Sequence, residues 1–138
     1  MPVSSNEPHM TFATLHTDDA PEVVAPDGSA VRVLVRSTGG SMARFSLPPF
    51  AVSRAVVHRT VDEVWYFLSG HGRMWLRNNH HETIVAVAAG LSVAIPAGTA
   101  FQFRSDSAQP LQAVGVTMPP WPGDDEADAV QGPWPATQ

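Results

Sequence analysis

Between residues 31 and 118 the sequence breaks into short apolar runs rich in β-branched residues, each closed by Gly, Pro, Asn or Ser. The runs cover residues 31–36, 42–47, 52–58, 63–69, 72–77, 83–88, 91–95, 99–104 and 111–117. Val31-Arg32-Val33-Leu34-Val35-Arg36 alternates a β-branched face with a mixed one, as a half-buried strand does. Gly70-His71-Gly72 separates two runs and reads as a hairpin turn, with glycines free to take positive φ. No run carries the 3.6-residue period and caps of a helix. The sole helical candidate is a short acidic turn near residues 124–130. Many short strands at even spacing predict an all-β domain, a sandwich or a barrel.

Composition narrows the chemistry. The 138 residues are enough for one domain. There is no cysteine, which removes disulfides, thiolate metal sites and thiol nucleophiles. All eight basic residues are arginine, so lysine Schiff bases and Walker-type phosphate loops are excluded as well. The arginines all lie within 31–117, where four acids leave a net charge of +4. The flanks hold nine acids and no base. A mildly basic centre between acidic ends is not the clustered basic footprint of a nucleic-acid binder. The start, MPVSSNEPHM, has neither the basic region nor the apolar run of a secretory signal, and no stretch reaches the length of a membrane helix. The expectation is a cytoplasmic protein with no membrane and no nucleic-acid partner.

Three zones follow: an N-terminal arm (1–30) with a turn signal at Pro26-Asp27-Gly28, a β domain (31–118), and a Pro-rich acidic tail (119–138). The tail carries Trp121 and Trp134, which a purely disordered segment seldom does. It is expected to strap onto the basic domain or onto a partner subunit.

His58 and Glu63 are the leading acid–base or ligand candidates. They fall at the end of one run and the start of the next. Arg54 and Val56 precede His58 on the same alternating face, and Trp65 and Phe67 follow Glu63 on its face. Together they describe a small pocket with few, placed polar groups. Arg54 could hold an anionic group bidentately. Trp65, Phe67, Phe101 and Phe103 would supply its walls. Tyr66 falls on the opposite face.

The segment from His58 to Gly72 resembles the first motif of the cupins, with His58 on a ligand histidine, Glu63 on the ligand glutamate and Gly70 on the closing glycine. Gly90-Leu-Ser-Val-Ala-Ile-Pro96-Ala-Gly98-Thr-Ala-Phe101 resembles the second motif. The resemblance covers residues 31–118 and implies an antiparallel jelly-roll barrel, commonly dimeric. It also implies a divalent transition metal on three histidines and a glutamate. Here the first histidine falls on Val56 and that of the second motif on Phe101. His58 and Glu63 alone remain of the metal set. His9, His16, His71, His80, His81 and Gln102 are the other residues that could complete one.

Three readings stand. The chain is an enzyme without the full metal site (isomerase, epimerase, cyclase or lyase) using His58 and Glu63 as acid and base. Or it is a metal-dependent oxygenase or isomerase with an incomplete ligand set. Or it is a non-catalytic module for a small, anionic or sugar-like molecule.

Overall fold

The computed structural model describes residues 12–138. Eleven strands run β1 (Glu22–Val24), β2 (Ala30–Arg36), β3 (Ser41–Leu47), β4 (Val56–His58), β5 (Asp62–Ser69), β6 (His71–Arg77), β7 (Glu82–Ala88), β8 (Ser92–Ile95), β9 (Ala100–Ser105), β10 (Leu111–Met118) and β11 (Ala127–Ala129). They form two antiparallel sheets, of order β1-β2-β3-β10-β5-β8 and β11-β4-β9-β6-β7. This is the predicted all-β jelly roll. The alternation read in the sequence becomes alternation in burial: β5 buries Glu63, Trp65 and Phe67 and exposes Asp62, Val64, Tyr66 and Leu68. The inner faces meet in a core that includes Leu47, Phe67, Met74, Ile95, Phe101, Phe103 and Leu111. Each such side chain, fully buried, contributes roughly 1.5–3 kcal/mol.

Two strand expectations need correction. The first is the hairpin at Gly70-His71-Gly72. β5 and β6 do not pair with each other: β5 lies between β10 and β8, and β6 between β9 and β7. At Gly70 (φ 82°) the chain passes from one sheet to the other. Glycine is needed there for closeness. A Cβ on Gly72 would overlap the Arg104 carbonyl oxygen.

The second is the run 52–58. Only Val56–His58 is a strand, preceded by an isolated bridge between Val52 and Arg104. Between them the backbone amides of Ser53 and Arg54 bond to the Phe103 and Asp27 carbonyls instead of continuing a ladder. The broken alternation turns Arg54 outward, where its Nε donates to the Gln138 carbonyl at 2.8 Å.

β1 and β11 lie within the segments read as arm and tail. Each is three residues long, too short to show a period, and each lies on the edge of its sheet. β11 pairs with β4, setting Ala127 opposite His58. Further along, the guanidinium groups of Arg73 and Arg104 lie 5.8 Å and 5.4 Å from the Trp134 ring. Gln102 Nε2 donates to the Ser53 and Trp134 carbonyls, and its Oε1 accepts from the Trp134 amide. The acidic turn expected near 124–130 is a 3-10 turn at Asp124–Glu126 running into β11.

Candidate functional site

His58 ends β4 in one sheet and Glu63 lies near the start of β5 in the other, joined by the turn 59–62. The turn brings the two side chains together at one end of the barrel, with His58 Nδ1 2.7 Å from Glu63 Oε2. The approach is that of an ion pair, and among the described residues neither atom has a further partner. Both residues are buried, Glu63 at 2 % exposure. A carboxylate so placed is costly unless a charge or a donor answers it.

The turn is held from outside by the tail. Glu126, itself buried, accepts from Thr60 Oγ1 at 2.6 Å and from the Thr60 and Val61 amides. Burial opposes its ionisation. The bonds from Thr60 and Val61, with the charge of His58 nearby, outweigh burial and hold the carboxyl below the usual range. Arg59 and Asp128 add an exposed contact at 3.8 Å, worth little by itself.

The pair opens onto a cavity of ≈ 220 Å³ between the sheets. Strand register explains its polar edge. Glu63 pairs with Thr117, Thr117 with Ser41, and Ser41 with Arg36, all lining the cavity. The Ser41 and Thr117 hydroxyls bond at 2.6 Å, and Ser41 Oγ also accepts from the Trp121 amide. One row deeper lies an aromatic wall. Trp65 stacks on Phe45 with centroids 4.5 Å apart, and Phe101 meets Trp65 edge-on. Trp65 Nε1 is buried and has no hydrogen-bond partner among the described residues. Trp121 from the tail lies 5.0 Å from the His58 ring.

The predicted site residues separate. His58, Glu63, Trp65 and Phe101 line the cavity. Val56, Phe67 and Phe103 are core residues that pack behind it. Arg54 is outside. Tyr66 is half exposed on the outer face. His16, His71, His80 and His81 are exposed, Gln102 is committed to the tail, and His9 lies outside the described residues.

Sequence reasoning missed Asp27. It sits in the turn between β1 and β2, 4 % exposed, and lines the same cavity. Its Oδ1 accepts from the Ser29 amide (2.9 Å) and hydroxyl (2.6 Å). Burial pushes its carboxyl above the usual range, the Ser29 bonds oppose that, Glu63 adds to it and His58 relieves it. In sequence, Pro-Asp-Gly-Ser is an ordinary turn, and nothing separates this aspartate from a solvated one.

A metal of the kind the motif resemblance implies does not fit this donor set. Catalytic sites usually keep three protein ligands. Among the described residues no three His, Asp or Glu side chains come close enough to hold one ion. Val56 and Phe101, the two places where histidines would stand, are apolar and face each other across β4 and β9.

Such a barrel, with a mostly apolar cavity at one end and a few convergent polar groups, is a common form of small-molecule site. The sequence profile described as Cupin domain matches residues 43–117, and the chain belongs to that family. No curated protein matches the chain. Among solved structures it is similar to a variant of Streptomyces PAC13 with uridine (17 % identity, TM-score 0.68, covering 88 % of this chain and 93 % of that one). Pac13 is described as a nucleoside dehydratase. It is also similar to oxalate decarboxylase from Bacillus subtilis (16 %, 0.71, covering 89 % and 34 %). A third is the capsular polysaccharide assembling protein CapF from Staphylococcus aureus (14 %, 0.66, covering 86 % and 37 %). At these identities the likeness shows the fold. No helix among the described residues is long and apolar enough to cross a membrane.

Proposed function

We propose that the barrel-end cavity binds a small polar molecule and carries out acid–base chemistry on it through His58 and Glu63, as an isomerase, epimerase, cyclase or lyase would. The observation that carries this reading is the buried His58–Glu63 contact, Nδ1 to Oε2 at 2.7 Å, opening onto the same cavity as Trp65 Nε1, which has no hydrogen-bond partner among the described residues. Buried polar groups in folded proteins are satisfied as a rule, so an open buried N–H beside such a pair points to a ligand. Trp65 Nε1 donates only. Glu63 accepts when ionised, and His58 can do either. The two titratable groups are close enough for one proton to be shared between Nδ1 and Oε2. The pair takes a proton from a substrate carbon and returns it to the product, while the apolar wall excludes water. Sugar-like substrates suit this wall better than anions, because Asp27, Glu63 and Asp124 all face the same cavity. The uridine bound to PAC13 gives a first compound to try.

The test is deuterium exchange. The protein is incubated in D2O with uridine, ribose and glucosamine, and loss of carbon-bound proton signals is followed by NMR. Exchange above background is expected with at least one of them, and His58→Ala and Glu63→Ala should each slow it roughly 100-fold or more. Exchange that survives both changes rejects the acid–base roles. Binding with no exchange in the unaltered protein identifies a non-catalytic module.

A further inference from the structure

Asp27 is a buried carboxyl with no ion-pair partner among the described residues. It faces the cavity from the β1–β2 turn, outside the His58–Glu63 pair. Only Oδ1 is occupied, by Ser29, and among the described residues Oδ2 accepts no hydrogen bond. Two basic side chains line the cavity. His58 sits against Glu63, and Arg36 is exposed. Asp124, also exposed, is a further acid on the cavity wall. Among the described residues neither basic group forms an ion pair with Asp27. The cavity therefore holds more acid than base, and its remaining surface is mainly apolar and aromatic. A buried carboxyl left unpaired either takes up a proton or waits for a positive ligand. Burial, with a smaller part from the Glu63 charge, raises its pKa against the Ser29 bonds and the charge of His58.

We infer that Asp27 is the ligand-anchoring carboxyl of this cavity, and that the ligand class is a small organic amine whose ammonium sits at Asp27 and whose apolar frame lies against Trp65 and Phe45. This rests on the cavity being a small-molecule site. Three features favour an ammonium over a bare metal ion. The walls are apolar, the aromatic faces attract organic cations, and the carboxyls and His58 do not converge on one point. The indole N–H of Trp65 is left to meet an oxygen on the same ligand.

Three probes of similar size and shape separate the possibilities: benzylamine, benzyl alcohol and benzoate. Affinity is read from tryptophan fluorescence and from NMR shifts. Benzylamine should bind at least tenfold more tightly than benzyl alcohol, and benzoate more weakly than either. In carboxyl-labelled protein the midpoint of the Asp27 pH titration should fall with benzylamine and not with benzyl alcohol. Asp27→Asn should bring the amine-to-alcohol ratio close to one, whereas Arg54→Ala should leave it as it is. The labelled unaltered protein keeps the test decisive if Asp27→Asn does not fold. Equal binding of amine and alcohol, or tighter benzoate, overturns the ligand class and leaves the cavity reading in place. So does an Asp27 response to zinc chloride alone with none to benzylamine. No response to any probe overturns both.

Discussion

Gly115 makes the aromatic wall possible. A Cβ there would come within 2.7 Å of Phe45 and 3.1 Å of Trp65, so only glycine lets those rings stack across β10. The adjacency of His58 and Glu63 was legible because they fall at the end of one apolar run and the start of the next, within the segment that resembles the first cupin motif. Asp27 was not legible, because its role depends on which cavity its turn overhangs, and that is a tertiary fact. Arg54 was misplaced because strict alternation was carried through a segment whose amides bond elsewhere. Asp27 also sets a pH dependence. Its folded-state pKa is raised, with Glu63, His58 and Ser29 the groups that face it. Above the usual carboxylate range the unfolded chain releases a proton that the folded chain retains, so the group costs stability as pH rises. Asp27→Asn, which keeps an acceptor for Ser29, should melt higher than the unaltered protein near pH 8. The advantage should vanish near pH 3, below the usual carboxylate range. A difference that does not change with pH would reject the raised pKa.

The jelly roll was readable strand by strand, since alternation and turn residues are local signals, whereas partner choice was not. The crossing at Gly70–Gly72 looks in sequence like a hairpin because tight glycine turns serve both purposes. What distinguishes them is the neighbouring strands pressing on the glycines, through Pro110 and Leu111 at the start of β10 on Gly70 and through Arg104 in β9 on Gly72. Gly72→Ala should therefore destabilise the fold by about 3 kcal/mol or more, because the Arg104 backbone in β9 must shift to admit a methyl group. Denaturant unfolding measures this, and a loss below about 1 kcal/mol would mean that the strand yields easily. The two short edge strands in the flanking segments were the least visible elements. β1 and β11 owe their conformation to the neighbours they pair with, not to any pattern of their own.

Across the whole molecule, the acidic flanks meet the basic barrel at specific places rather than as a diffuse cloud. Glu22 contacts Arg32 at 3.2 Å, Asp128 contacts Arg59, and Glu126 caps the turn between the two candidate catalytic residues. Removing residues 119–138 should lower the melting temperature by about 5 °C or more, since it strips β11, the Glu126 cap and the Trp134 contacts together. An unchanged melting curve would show that these contacts add nothing. The family match spans residues 43–117 and includes His58, Glu63, Trp65 and Phe101. Asp27, Trp121 and Asp124, which complete the cavity, come from outside that span. On the proposed reading, the acid–base pair and the Asp27 anchor lie on separable stretches. A transplant of residues 21–29 and 119–126 onto another barrel of this kind would carry ligand preference across while leaving the recipient's hydrophobic interior untouched.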